Sequence, residues 1–327
     1  RFSTDNSIAP NYRPIQPLNG RNITASPATP PPHLWCYEDH SGMYQLYYTP
    51  SHWFELSGSQ CGGESQSPID ISTYTVVENG TLNSFTFTNF DNKHAIKSII
   101  NTGHTVQCVL EEGLVEASGG GLSHVYSTLQ FHFHWGTESA DSVGSEHTVD
   151  QKQYPMEMHI VSKRKDLTLD EALKTPDGLA VLGFLIEVKT DIHCKTFNSA
   201  SNAEAWKTLT HYLSDIRNVE SEVEVTDEIS IDDLLGNVNR ESYFRYSGSL
   251  TTPSCNEAVV WTVFKESVKV DQDLMATFPK NAGYHNVFRP AQAVNSRKIF
   301  TTAAATGPGP GPVWVYLLLP CLCALFC

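Results

Sequence analysis

The residues best equipped for chemistry sit in the stretch QFHFHW (130–135), where two imidazoles stand two positions apart. Side chains alternate between the faces of an extended strand, so His132 and His134 share a face with Thr128 and Gln130. Leu129, Phe131, Phe133 and Trp135 fall on the other face and suit a core. Residues at i and i+2 are roughly 6.6 Å apart along the backbone, so both rings can converge on one ion. The stretch YPMEMHIVSK (154–163) alternates in the same way. Met156, Met158 and Ile160 lie on one side, and Glu157, His159 and Val161 on the other. If these two strands are neighbours, three imidazoles meet on one surface. Three neutral histidines with a fourth position open form the ligand set of a catalytic zinc site. A ligating ring needs an acceptor for its other nitrogen, and Gln130 and Glu157 each lie two residues from a ligand on the same face. On the residues alone, two bland readings stay open. A His-x-His strand can be a solvated polar face, and His159 is one of 13 histidines.

The elements that would position these rings are mostly strands. SFTFTNF, HTVQCVLEE, STLQFHFHW, YPMEMHIVSK, LAVLGFLIEV and EAVVWTVFKE carry strand patterns, and turn-rich pieces such as ASGGGLS separate some of them. The clearest helical pattern is NAEAWKTLTHYLSDI (202–216). No low-complexity break or repeat interrupts residues 35–300, which reads as a single domain. The fold class is α+β: a large, mainly antiparallel, twisted β-sheet with short peripheral helices.

Composition narrows the partners. The 327 residues are 40% hydrophobic and carry a net charge of -14. This excludes nucleic acid, whose phosphates require clustered Lys and Arg. Residues 1–34 are proline-rich and read as a disordered extension. Residues 301–312 form a flexible spacer of small residues, followed by the apolar tail VWVYLLLPCLCALFC (313–327). Fifteen residues fall short of the roughly 20 that span a bilayer, and Pro320 interrupts them. Small residues, spacer and tail match the cleaved signal for a GPI anchor, with Ala303 as the expected attachment residue. A retained membrane anchor or a buried terminal strand is the alternative. An anchored chain belongs to the secretory pathway and the extracellular face of the plasma membrane. Two glycosylation sequons agree, at Asn22 and Asn79. Of the eight cysteines, Cys321, Cys323 and Cys327 lie in the tail, which leaves Cys36, Cys61, Cys108, Cys194 and Cys255. No CxxC pair exists for a cysteine zinc finger.

QFHFHWG, GSEHTVD, EMHIV, SLTTPSC and VVWTVFKE, with QSPIDI (66–71) and RPAQ (289–292), together resemble the α-class carbonic anhydrases over about residues 35–300. The opening WCYE (35–38), Cys61 with Cys255, and the apolar tail resemble the membrane-anchored, type IV-like branch. The resemblance implies a monomeric, extracellular zinc enzyme for the reversible hydration of carbon dioxide to bicarbonate and a proton. It makes His132, His134 and His159 the metal ligands. Thr251 would accept a hydrogen bond from the attacking hydroxide and donate its own to Glu146. With its proton committed to a carboxylate, the hydroxyl can only accept, which aims the oxygen's lone pair at carbon. Val161 is placed on the ligand face by strand parity, and by resemblance Val181, Leu250 and Trp261 complete an apolar wall for the substrate. The backbone N–H of Thr252 would help hold it.

His104 in NTGHTV matches the family's proton shuttle, a role suited to an imidazole that titrates near neutrality. Tyr37 matches a polar residue beside the active-site water. Cys61–Cys255 is the implied disulfide, bracing the SLTTPS loop. Two departures stand out. Thr102 occupies a position where many relatives carry Asn, which could alter the water chain. No second cysteine follows WCYE closely, so Cys36 is left to pair with Cys108 or Cys194, or with neither. A catalytically silent binding or adhesion domain is the alternative of another class. A zinc hydrolase of unrelated fold lacks its HExxH helix here.

Overall fold

Alternating apolar residues build the sheet that the computed structural model shows. The structure describes residues 35–37, 48–189 and 202–303. Asn22, Cys194 and the tail from 304 onward lie outside them, as does the whole proline-rich segment 1–34. All six expected strand segments contain strands: Phe85–Thr88, Val106–Leu110, Tyr126–Trp135, Met156–Arg164, Leu179–Val188 and Val259–Val270. The expected helix spans Ala203–Tyr212, and a further helix, Gln272–Ala282, was not anticipated.

Among the described residues the main sheet has 12 strands. Its order runs from Glu222–Glu224 through Ile96–Asn101, Val106–Leu110, Tyr126–Trp135, Met156–Arg164, Leu179–Val188, Val259–Val270 and Tyr243–Gly248. Phe300–Thr301 and Val77–Glu78 close the far side. Most pairs are antiparallel, as expected, but Leu179–Val188 runs parallel to Val259–Val270 at the centre. The sheet is therefore mixed. LAVLGFLIEV reads as an almost continuous apolar run because it is covered on both faces, as central parallel strands are.

Two apolar clusters occupy the two faces. Phe131, Phe133, Trp135, Met156, Met158 and Ile160 belong to the larger one, together with Trp206 and Phe278 from the two helices. Phe133 packs on both helical aromatics, with ring centroids 5.6 Å from Trp206 and 4.9 Å from Phe278. Val161, Val181, Leu179, Val259 and Trp261 belong to the smaller cluster on the opposite face. The histidine face thus has its own apolar floor.

Candidate metal centre

The Tyr126–Trp135 and Met156–Arg164 strands are antiparallel neighbours. His159 pairs directly with His132, and Glu157 with His134. Directly paired residues project to the same side, so strand pairing alone brings the three rings together. Their centroids lie 4.4 Å (His134–His159), 5.0 Å (His132–His134) and 5.3 Å (His132–His159) apart. One nitrogen from each ring falls within 4.8 Å of the others. His134 and His159 are buried, and His132 is half-buried.

The remaining ring nitrogens fix the proton positions. His132 Nδ1 donates to Gln130 Oε1 (3.0 Å), His134 Nδ1 to the Val287 carbonyl (3.0 Å), and His159 Nε2 to Glu157 Oε1 (2.7 Å). Burial pushes all three imidazoles toward the neutral form, His132 to about 3. A neutral ring carries one N–H, so the inward nitrogens present lone pairs. His134 Nε2 and His159 Nδ1 then face each other at 3.0 Å with no hydrogen between them. A cation seated among the three would turn this opposition of acceptors into coordination. The donor set of three imidazole nitrogens suits zinc, and each ligand ring is already braced from behind.

A second group, His147, Glu157 and His159, is also close enough to suggest a metal. It is a hydrogen-bonded brace instead. Glu157 Oε1 accepts from His147 Nδ1 and His159 Nε2, both at 2.7 Å. Its Oε2 accepts from the backbone N–H groups of Glu146 (2.8 Å) and His147 (2.7 Å). Burial alone would raise this carboxyl, but His147 and His159 outweigh it and hold Glu157 well below the usual carboxylate range. Beyond it, His147 Nε2 lies 2.6 Å from the Tyr246 hydroxyl, which is 2.9 Å from Ser67 Oγ.

Glu146 is fully buried beside the cage. Its Oε1 accepts from the Arg289 backbone N–H (2.8 Å), and its Oε2 lies 3.9 Å from His159 Nδ1. Burial pushes the Glu146 carboxyl well up, against the pull of the Thr251 hydroxyl and the Arg289 N–H. Oε2 has no hydrogen-bond partner of good geometry. Positive charge in the cage would favour the ionised carboxylate.

Thr251 opens onto a cavity of about 270 Å³ lined also by His132, His159, Val161, Val181, Leu250, Thr252 and Trp261. Every residue expected in the substrate wall is therefore there. Gln130 lines it as well. His104 and Tyr37 are not among its lining residues. Tyr37 is buried, and its phenol is pushed well up by burial and then by the Glu146 carboxylate. His104 occupies the turn between Ile96–Asn101 and Val106–Leu110, its ring flat on Trp35 at 3.8 Å and 13°.

One expectation fails at the start of the ligand strand. Gln130 pairs with Val161 and Thr128 with Ser162, so Leu129 is left over as a bulge. The extra residue inverts the alternation. Leu129 lines the cavity instead of the core, while Thr128 faces the opposite way, 3.0 Å from Ser162 Oγ. Strand parity also missed the Val287 carbonyl, His147 and Gly183. Gly183 pairs with His159, and a Cβ there would stand 3.1 Å from Glu157 Oε1. The disulfide Cys61–Cys255 is present, with Cα atoms 4.9 Å apart. Cys36 and Cys108 are buried. Asn79 is half-buried and Ala303 exposed.

Residues 48–303 match the family model described as eukaryotic-type carbonic anhydrase. Rat carbonic anhydrase 4 is 33% identical, covering 86% of this chain and 88% of the relative. Mouse carbonic anhydrase 15 is 34% identical over 83% of this chain and 84% of its own length. Bovine carbonic anhydrase 6 is also 34% identical, covering 82% and 80% respectively.

Proposed function

This chain belongs to the eukaryotic-type carbonic anhydrase family, and we propose that it hydrates carbon dioxide reversibly at a zinc ion held by His132, His134 and His159. The observation that carries the zinc reading is the 3.0 Å approach of His134 Nε2 to His159 Nδ1, two inward nitrogens that a cation seated among the three rings would bridge. When bound, zinc would supply Lewis acidity that brings the pKa of water from 15.7 to about 7, a value known for carbonic anhydrases as a class.

The chain's own residues then do the rest. Glu157, Gln130 and the Val287 carbonyl hold the three rings in the tautomer that points lone pairs inward. Glu146 accepts a hydrogen bond from the Thr251 hydroxyl, leaving Thr251 Oγ1 as an acceptor that orients a hydroxide toward the apolar wall. Val161, Val181, Leu250 and Trp261 give the nonpolar substrate a dry surface, and the Thr252 N–H helps hold the bicarbonate product. His104 carries the released proton to solvent, across water, because its ring is not part of the cavity wall. Tyr37, an un-ionised phenol near Glu146, contributes to that polar lining. The silent-domain alternative has no residue in its favour, since the ligands, Glu146 and Thr251 all remain.

The apolar tail, the spacer before it and the sequons at Asn22 and Asn79 support a glycosylated, GPI-anchored monomer on the extracellular face, attached at Ala303. The Cys61–Cys255 bridge agrees, because disulfides persist in oxidising compartments. For the reaction itself, zinc content and CO₂ hydration should be measured on the parent and on His132→Ala. The variant should lose stoichiometric zinc, and its activity should fall by more than the roughly 10–100-fold that loss of an outer hydrogen-bond partner costs. Full activity in His132→Ala would sink the mechanism.

A further inference from the structure

The turn that carries His104 is held by a residue with no role so far. Asn101 and Val106 pair across the hairpin, leaving Thr102, Gly103, His104 and Thr105 at its tip. The Thr102 N–H donates to the Thr105 carbonyl (2.9 Å), so Gly103 and His104 form a two-residue loop. Gly103 has φ +81°, and His104 is not among the residues with positive φ. That pattern fits the hairpin turn that requires glycine at its first position.

Asn101 secures the base of this loop. It is fully buried, and its Oδ1 accepts from the Gly103 N–H (3.0 Å) and the Tyr284 hydroxyl (2.8 Å). Its Nδ2 donates to the carbonyls of Ile216 (2.9 Å) and Ala282 (3.3 Å). Thr102 secures the tip. Its Oγ1 accepts from the backbone N–H groups of Thr105 (3.0 Å) and His104 (3.3 Å), and donates to the Thr105 carbonyl (3.1 Å). The single hydroxyl proton and both lone pairs are thereby used inside the turn. The hydroxyl is not free to order water, and it grips the backbone N–H of His104 itself.

We propose that Thr102 is a positioning residue for proton transfer: its hydroxyl locks the two-residue turn so that His104 is presented in one orientation, flat on Trp35. This rests on His104 being the proton carrier. Valine at position 102 keeps the branched shape but removes all three bonds. Trp35 stacking and the Asn101 anchor would remain, while the loop between them would sample more conformations. Proton export follows the chemistry on carbon dioxide, so its impairment limits kcat and not kcat/KM.

The experiment compares the parent, Thr102→Val, Thr102→Ser and His104→Ala in weak and strong buffer, with melting curves on each. For Thr102→Val, kcat in weak buffer should fall about threefold, well below the roughly 10²–10⁴-fold that a positioned acid–base group itself contributes, because the imidazole remains. Its kcat/KM should hold, and added imidazole should restore kcat. Thr102→Ser, which keeps the hydroxyl, should behave like the parent. If His104→Ala shows the weak-buffer deficit and Thr102→Val does not, the role of Thr102 is wrong. A parallel fall of kcat and kcat/KM in Thr102→Val also overturns it, as loss of general integrity. If His104→Ala itself has no deficit, the shuttle reading fails first and takes this inference with it.

Discussion

His132, His134 and His159 meet in one largely buried cluster, with His134 Nε2 3.0 Å from His159 Nδ1, and keeping these rings neutral has a measurable cost when no cation is bound. Burial, and then the His159 ring, hold His132 at about 3 in the folded chain, against about 6.5 when unfolded. Between those values the unfolded chain binds a proton that the folded chain refuses. Stability of the metal-free protein must therefore fall as pH falls through this window. His134 and His159 are shifted in the same direction. Glu146, raised by burial, works against them above its unfolded value, but three histidines outnumber one carboxyl. The expected loss is about 1.4 kcal/mol per pH unit for each net proton. Denaturant unfolding of the metal-free protein at pH 7, 6 and 5 measures it, and a flat profile would contradict a neutral cage. The His-x-His pair was legible in the sequence because strand parity depends only on spacing. Val287 was not, because a backbone carbonyl carries no residue signature.

Within single elements, two exceptions to regular strand geometry shape the site. The bulge at Leu129 re-aims one apolar side chain from the core into the cavity, enlarging the wall available to a nonpolar substrate. Periodicity cannot announce such a bulge, since Thr128 and Leu129 look equally regular in either register. The other exception is Gly183 on the Leu179–Val188 strand, where the missing side chain makes room for the Glu157 carboxylate. Gly183→Val should push Glu157 off His159 and weaken zinc binding by roughly 10–100-fold, the usual cost of losing such a brace. Competition with a chromophoric chelator reads this directly. Unchanged affinity would mean that Glu157 has slack the geometry does not suggest.

For the molecule as a whole, the apolar floor under the histidines and the helix-covered core behind them lie on opposite faces of one sheet. The disulfide joins positions 194 residues apart, beside the loop that carries Thr251. Closing so long a loop restricts the unfolded chain by about 5 kcal/mol on a chain-entropy model. Among the described residues, no helix is long and apolar enough to cross a membrane. The anchoring proposal therefore rests on the tail. Phosphatidylinositol-specific phospholipase C should release the protein from intact cells; retention after treatment would favour an uncleaved membrane anchor. The edges of the sheet are short strands, and Glu222 and Glu224 on one of them are exposed. Charge at such an edge discourages edge-to-edge pairing with another chain.

Residue spacing alone determined the strands, the shared face of His132 and His134, the matching face of Glu157, His159 and Val161, and the core identity of Phe131, Phe133 and Trp135. These follow from a two-residue period and from the separation of apolar and polar side chains, both local properties. Tertiary structure decided that the two histidine strands are neighbours and which residues face each other across them. It also decided that Glu157 braces two histidines at once, and that Leu129 and Thr128 exchange faces. Each of these depends on register between segments distant in sequence. Register is set by packing of the whole sheet, which no short stretch of sequence contains.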